Sequence, residues 1–467
     1  MQPEKFEQEP SVEDISAPKR IDLREEMLNR TLLALAIPAI LDHLLHSLVH
    51  VSDTLIAGWL HNEVILAAAL LGGVISFLSS APFFALTVAA NSLVSRCCGA
   101  EKFEKARRYA GQCLSFAFML AALIVVTGIL LAGRLMDWIG AAPDVAPLAA
   151  QYLRILLVAA LLGSPMWVAN AIIRATGDTK TPMKISALTN LINIPLSIVL
   201  AFGLGPVPQL GLMGVAWGTV FSRSLGGVVA LGVLLNHPRG LKVPFRLFWT
   251  WDRSLAADIW RLGAPTLLER IIWNGSYGVF TSIVAKLGTV SLAANNIALH
   301  VESLAFMPAF GAAHAVAAYV GQAVGANCSH VADLAVRRAL KSTCFLMACL
   351  GMLFVLFGKQ IAALFGATPE VVGLAGVALQ ISALEHPLMA SGLILSSTLQ
   401  GAGDTRSPLY VMTACILLFR FGVVYLFAIT FGWGLPGVWL ATAIDWAGRS
   451  IGLWGVFRVG KWRTIGL

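Results

Sequence analysis

The sequence has few charged residues. Only 12% of its 467 residues are Asp, Glu, Lys or Arg, whereas a soluble chain carries about 25%. Hydrophobic residues make up 57% of the chain, so the charged minority cannot cover the folded chain with a surface that water solvates. This composition excludes an ordinary soluble protein and predicts a polytopic membrane protein.

The sequence also lacks the common motifs of catalysis and nucleotide binding. It has no G-x-x-x-x-G-K-[ST] segment to hold nucleotide phosphates. It has no H-E-x-x-H pair and no soluble segment of catalytic size, and its one G-x-S-x-G match, over 448–452, lies inside an apolar span and not at the strand-to-helix turn of a nucleophile elbow. We therefore expect no enzyme activity and no use of ATP, and the energy for any transport must come from an ion gradient or from the gradient of the substrate.

Signals for metals, nucleic acid and secretion are missing as well. The seven cysteines show no paired metal-ligand spacing, so we predict no metal site and no bound cofactor. The net charge of +8 is not gathered into a basic patch interleaved with aromatic residues, which argues against a nucleic-acid partner. The first thirty residues alternate acids and bases without the apolar core of a cleavable signal peptide.

Long apolar runs are present along nearly the whole chain. The run over 114–133 reaches the roughly 20 residues that a helix needs to cross a hydrocarbon core. Read against Gly, Pro and charged residues, the pattern predicts twelve spans. These lie near 31–58, 64–96, 110–132, 147–175, 182–203, 211–236, 261–286, 291–325, 340–365, 370–400, 408–431 and 435–459.

The basic residues fall mainly on one side of these spans. With the N-terminus inside, the odd-numbered connections contain little beyond Arg134, Lys286 and Lys359. Because positive charge is retained on the cytoplasmic side, both termini are predicted to be cytoplasmic. The even-numbered connections contain Arg96, Lys102, Lys105, Arg107, Arg108, Arg174, Lys180, Arg239, Lys242, Arg246, Arg253, Arg337, Arg338, Lys341 and Arg406.

The two halves of the sequence repeat. Gly177-Asp178-Thr179 with Pro182 returns as Gly403-Asp404-Thr405 with Pro408, while Pro82 pairs with Pro308 and Pro38 with Pro265. Six spans per unit is an even number, so the halves form a parallel repeat. The prediction is an all-α membrane protein of two six-helix bundles. Its segments are a tail over 1–30, bundles over 31–236 and 260–459, a cytoplasmic linker over 237–259 and a tail over 460–467.

The repeated Gly-Asp-Thr segments lie at the cytoplasmic ends of spans 4 and 10. In each copy Gly can end one helix, Asp or Thr can cap the next, and Pro can occupy its first turn. We therefore predict a structural role for Gly177, Asp178, Thr179, Pro182, Gly403, Asp404, Thr405 and Pro408.

Span 1 carries an unusual polar stripe. Asp42, His46, His50 and Asp53 fall within an arc of roughly 80° on a helix. Ionisable side chains are costly against lipid, so the stripe is predicted to face the bundle interior or a wet cavity, where it can relay protons or hold a cation. For a single histidine, neutral hydrogen-bonded packing is the alternative.

The second bundle also carries ionisable residues inside its spans. Glu269, Glu302, Glu385 and Asp445 are candidates for a substrate or coupling site. For Arg270 and Arg420 we favour internal pairing, such as Arg420 with Asp445, which neutralises charge and fixes helix packing.

Several segments resemble the multidrug and toxic compound extrusion (MATE) family. They are GDTKTP and GDTRSP, IPAILDHLLHSLVHVSDTLIAG in span 1, and AANNIALHVESLAFMPAFGAAHAVAAYVGQAVGA in span 8. The resemblance runs from about Leu32 to the end. It implies two six-helix bundles around a V-shaped cavity and the export of organic, often cationic, compounds in exchange for H⁺ or Na⁺.

The resemblance also implies a cation site in the first bundle. Asp53 matches the family's acid in span 1, Asn190 an asparagine in span 5, and Thr219 a threonine in span 6. The second acid of span 5 is absent, since Ile194 takes its position with Asn193 beside it. The coupling ion therefore stays open between H⁺ and Na⁺.

The resemblance further implies a multi-pass protein of the bacterial plasma membrane. We expect it to act as a monomer, with a small organic substrate and the bilayer as its partners. Two other functions stay open: a lipid-linked oligosaccharide flippase of the same superfamily, and a non-transporting scaffold or intramembrane enzyme.

Overall fold

All regular structure in the described part of the chain is helical. The computed structural model describes residues 20–203, 208–236 and 240–465. Its elements form twelve spans: Leu28–Gly58, Glu63–Leu78 with Ala81–Gly99, Phe103–Ile139, Ala146–Ala175, Lys180–Phe202, Leu212–Asn236, Arg253–Ala285, Thr289–Ala305 with Met307–Gly325, Ser329–Ala363, Pro369–Ala402, Arg406–Thr430 and Gly434–Val459.

Spans 2 and 8 are each interrupted, although the sequence predicts single runs over 64–96 and 291–325. We call their parts 2a (Glu63–Leu78), 2b (Ala81–Gly99), 8a (Thr289–Ala305) and 8b (Met307–Gly325). Pro82 and Pro308 lie in the first turns of 2b and 8b. Proline has no backbone N–H, so it suits the start of a helix, and the apolar run continues through the interruption unchanged.

Several helices extend beyond the predicted boundaries. Span 3 covers Phe103–Ile139 rather than 110–132, and span 9 covers Ser329–Ala363 rather than 340–365. Span 7 begins at Arg253, inside the predicted linker. The additional turns contain charged residues, which end an apolar run in the sequence without ending the helix.

Ten of these helical segments are apolar and long enough to cross a membrane by composition alone, within the described residues. Spans 7 and 12 are not among the ten. Each of them carries an acid and a base in its interior, Glu269 with Arg270 and Asp445 with Arg449, which lowers its hydropathy. Span 11 is irregular, since it passes into π-helix over Ile416–Val423 and Leu426–Thr430.

The two halves pack in a reciprocal way. Segments 2b and 8b contact each other, span 1 packs on 8b, and span 7 packs on 2b. Gly99 faces the backbone of Gln322 and Gly325 faces the backbone of Arg96, so closely in both cases that a Cβ atom would collide. Glycine therefore permits the contact between the bundles.

This contact lies near one end of the molecule, which we call the terminal face. It is the end that carries residues 20–24, the connections 100–102, 176–179, 326–328 and 403–405, and the C-terminal segment Lys461–Thr464. The Gly-Asp-Thr segments lie here. Gly177 and Gly403 have positive φ of 92° and 97°, and the Asp178 and Asp404 carboxylates accept bonds from backbone N–H groups of the next helix.

Candidate functional site

Three spans of the first bundle meet at Asp53. The Thr219 hydroxyl of span 6 donates a hydrogen bond to Asp53 Oδ2 over 2.8 Å. The Asn193 amide of span 5 donates to the Thr219 hydroxyl over 3.1 Å. All three side chains are buried, so this chain of bonds fixes span 1 against spans 5 and 6.

The same cluster holds acceptor oxygens that have no donor among the described residues. They are Asp53 Oδ1, Asn193 Oδ1 and Asn190 Oδ1, and all are buried. Asn190 uses its NH₂ group to donate to the Leu45 and Ser186 carbonyl oxygens, each over 2.9 Å. Buried oxygens without donors suit a proton or a hard cation.

In span 5, the sequence analysis places Ile194 at the position of the family's second acid. In the structure, Asn193 is the residue whose side chain enters the cluster. Asn193 is fully buried against Thr219, whereas Ile194 is only partly buried. A neutral amide therefore occupies the position nearest to the missing second acid. Within the described residues no group of three or more His, Cys, Asp or Glu side chains is placed to hold a metal ion.

Asp42 has different partners from Asp53. It forms an ion pair with Arg174 over 3.0 Å and accepts a bond from the Ser186 hydroxyl over 2.5 Å. His46 Nε2 lies 4.0 Å from Asp42 Oδ1. The predicted stripe is thus divided into an ion-paired part at Asp42 and a part at Asp53, where the carboxylate forms no ion pair among the described residues but interacts with the Arg223 guanidinium. The side chain of His50 lies outside the described residues.

The sequence analysis missed two arginines that lie beside the polar stripe of span 1. Arg174, counted there among loop charges, lies inside span 4 and is buried against Asp42. Arg223 lies in span 6, one turn from Thr219, and lines a small cavity with His46, Trp167 and Asn190. The sequence signal that could have identified Arg223 is that it is the single cation within the span Leu212–Asn236.

The second bundle contains a buried carboxyl pair. Glu302 of span 8a and Glu385 of span 10 interact directly, and the Thr442 hydroxyl of span 12 donates to Glu385 Oε2 over 2.8 Å. Glu302 Oε1 is buried with no hydrogen-bond donor among the described residues. Thr442 is the repeat counterpart of Thr219, so each half places a threonine hydroxyl on a carboxyl group.

Asp445 is held by two arginines. Arg449 bonds both of its carboxylate oxygens, over 2.9 and 2.6 Å, and Arg420 lies 3.6 Å from it. Both guanidinium groups also lie over the ring of Trp273. This arrangement neutralises Asp445 and fixes spans 7, 11 and 12 together, which is a packing role.

Glu269 and Arg270 lie where the bundles face each other. The Gln400 amide donates to Glu269 Oε2 over 3.3 Å. Arg270 lies 4.0 Å from the ring centre of Phe84 in segment 2b of the other bundle. It forms no ion pair among the described residues, although the charge of the Glu269 carboxylate acts on it. His43 and His314 stack nearby across the bundles, with ring centres 4.8 Å apart.

Comparison with known proteins decides the family. A MatE family profile matches the chain twice, over residues 38–199 and 265–426. The chain belongs to the MatE family. The two matches begin at Pro38 and Pro265, so the internal repeat predicted from these prolines is confirmed. This MatE chain is a multi-pass membrane transporter of twelve helices in two bundles.

The MatE chain has relatives along almost its whole length. It is 27% identical over 448 residues to "Probable multidrug resistance protein NorM" of Thermotoga maritima, with 93% of each chain covered. It is 29% identical over 437 residues to the protein of that name from Pseudomonas putida, covering 91% of this chain and 93% of that one. The structure titled "Outward-facing conformation of a multidrug resistance MATE family transporter of the MOP superfamily" has a TM-score of 0.89 at 24% identity, covering 96% and 100%.

Proposed function

We propose that this protein exports small organic compounds, often cationic ones, across the bacterial plasma membrane by antiport with H⁺ or Na⁺. The names of the curated relatives support multidrug export. The observation that carries ion coupling is the buried Asp53 cluster, in which one carboxylate oxygen of Asp53 and two amide oxygens lack donors among the described residues. Both termini are proposed to be cytoplasmic, on the basis of the distribution of basic residues.

Coupling is proposed to act through the charge on Asp53. An arriving proton or Na⁺ neutralises the carboxylate and changes its bond to the Thr219 hydroxyl, which joins spans 1 and 6. A shift of span 1 reaches the other bundle directly, because span 1 packs on segment 8b. Ion binding in one bundle would thereby alter the contact between the bundles and release the substrate.

The Glu302–Glu385 pair is proposed as a second place for a proton. Two adjacent buried carboxyl groups cannot both ionise cheaply, so one shared proton stabilises the pair. Its position on spans 8a and 10 lets it respond when segment 8b moves. Glu269 accepts a bond from Gln400 of the same bundle, on the side that faces the other bundle, and it is proposed to face the substrate.

Reconstitution tests the proposal. Purified protein in liposomes is given ethidium, a fluorescent organic cation, with an imposed H⁺ gradient, an imposed Na⁺ gradient or neither. We expect accumulation only with one of the gradients. Equal transport in all three conditions would exclude ion coupling, and no transport of any compound in a drug panel at two external pH values would exclude export.

A further inference from the structure

The segment between the bundles is fixed along span 3. Arg107 donates to the Leu241 carbonyl oxygen over 2.8 Å, and the Gln112 amide bonds both the carbonyl oxygen and the N–H of Asp252. The Ser115 hydroxyl donates to the Phe248 carbonyl oxygen. These bonds hold residues 240–252, which we call the linker segment, against one side of the first bundle.

The depth of this contact follows from the length of span 3. Its apolar run over 114–133 corresponds to about 30 Å of helix, the thickness of a hydrocarbon core. The linker segment contacts span 3 between Arg107 and Phe116, where Phe116 packs on the ring of Trp251. The linker segment therefore lies at the depth of the lipid headgroups.

The outer side of the linker segment is aromatic. Phe245, Trp249 and Trp251 are 59%, 79% and 57% exposed, while Leu247 and Phe248 are buried and attach the segment to the protein. Aromatic rings are enriched at the boundary between membrane and water. Their exposure is therefore accounted for by lipid rather than by an open aqueous surface.

The linker segment and the start of span 7 carry more cations than acids. Lys242, Arg246, Arg253 and Arg261 form no ion pair with another described residue. Two acids belong to the same stretch: Asp252 caps span 7 by accepting from the Ser254 and Leu255 N–H groups, and Asp258 accepts from the Tyr109 hydroxyl over 2.6 Å. Four cations against two acids leave this stretch with a net positive charge.

We propose that the linker segment, together with Arg253 at the start of span 7, binds anionic phospholipid, with Arg246 and Arg253 taking the phosphates while Phe245, Trp249 and Trp251 lie in the headgroup layer. The bound lipid would hold the segment that connects the two bundles at the membrane surface. This inference is independent of the exported compound and of the coupling ion.

The test uses full-length protein purified in detergent and titrated with phosphatidylglycerol, with thermal unfolding as the readout. Phosphatidylcholine and soluble glycerol 1-phosphate serve as the zwitterionic and lipid-free arms. We expect stabilisation by phosphatidylglycerol alone. The double variant Arg246→Gln/Arg253→Gln should raise the half-maximal phosphatidylglycerol concentration about 25-fold, because each basic residue near an anionic membrane contributes about a five-fold change in affinity.

A matched control removes the same charge elsewhere. The double variant Arg30→Gln/Arg406→Gln changes two exposed arginines outside the linker segment, and it should leave the titration unchanged. An equal loss in this control, an unchanged titration in Arg246→Gln/Arg253→Gln, or the same stabilisation by glycerol 1-phosphate would each overturn the proposal.

Discussion

Asp42 and Asp53 are two aspartates of one helix in different surroundings. Asp42 forms an ion pair with the Arg174 guanidinium, whereas Asp53 is bonded by the neutral Thr219 hydroxyl and interacts with the Arg223 guanidinium without forming an ion pair among the described residues. A carboxylate in an ion pair resists a change of charge more strongly than one that has none. This difference favours Asp53 over Asp42 for the proposed coupling role.

Replacing Asp53 by Asn should abolish gradient-driven transport and leave the protein folded. The Asn side-chain oxygen can still accept the bond from Thr219, so little packing is lost, but the amide can no longer gain or lose a proton. Uptake into liposomes and the unfolding temperature in detergent measure the two effects. Wild-type uptake in this variant would show that another residue couples the ion.

Asp42→Asn is the matched comparison on the same helix. It leaves the Arg174 charge buried without its partner, and breaking a buried pair in this way costs about 3–5 kcal/mol. We expect a clear fall in unfolding temperature in Asp42→Asn that is absent in Asp53→Asn. Similar stability of the two variants would contradict the division of the stripe.

The sequence predicts some of these residues and not others. Asp53, Asn190 and Thr219 follow from motifs that stand at fixed places in the spans. Arg174 does not, because a cation at the end of an apolar run looks like a loop charge until the neighbouring helix that carries Asp42 is known. The sequence also does not predict that Asn193 enters the cluster, since a shift of one residue in the alignment of span 5 decides between Asn193 and Ile194.

At the scale of helices, segments 2b and 8b meet in a close backbone contact. Gly99 and Gly325 are repeat counterparts, and each faces the backbone of the opposite segment. The sequence shows the paired glycines and prolines, but not the interruptions of spans 2 and 8, because hydropathy stays high across them.

Gly99→Val should separate the bundles at the terminal face. The added side chain meets the Gln322 backbone, which cannot move aside as a flexible side chain would. Buried Cys97 and Cys98 adjoin this position. In a chain that retains only these two cysteines, we expect faster maleimide labelling than in its Gly99 parent.

The control for this labelling is Gly133→Val in span 3. A Cβ atom there meets no other atom within 4 Å, so the labelling rate should stay at the parental value. If Gly99→Val also left the rate unchanged, the terminal face would not depend on this close contact.

At the scale of the whole molecule, the described segments next to the two termini each bind the opposite half of the chain. The Ile21 N–H, which precedes the first bundle, donates to the Gln322 side chain of the second bundle over 2.9 Å. Arg96 of the first bundle donates to the Ile465 carbonyl oxygen, which follows the second bundle, over 2.6 Å. Arg20 pairs over 2.6 Å with Glu101 of its own half, which also fixes the N-terminal segment at this face.

Gln322→Leu should loosen this face. The buried Gln322 amide bonds both the Ile21 N–H and the Ala175 carbonyl oxygen. Leaving each group unsatisfied costs about 1–3 kcal/mol. Hydrogen exchange of the peptide that contains Ile21 should become faster.

Gln380→Leu is the control, since Gln380 is less buried and bonds only within the second bundle, to the Val355 carbonyl oxygen. Exchange at Ile21 should not change in it. Unaltered exchange in Gln322→Leu would show that the N-terminal segment is held by other contacts.

The architecture of the whole molecule was largely predictable. Repeated Gly, Pro and Asp residues predict two halves, and both family matches begin at the paired prolines. The contacts between the halves were not predictable, because they depend on which faces of the two bundles meet. The side of the membrane on which the termini lie stays a prediction.

The described segments next to both termini bind the opposite half, so force applied to either segment acts on the contact between the bundles. A fusion partner or affinity tag that pulled on residues 20–24 or on Lys461–Thr464 would strain this contact. Transport rates measured on tagged protein should therefore be compared with those of protein from which the tag has been cleaved.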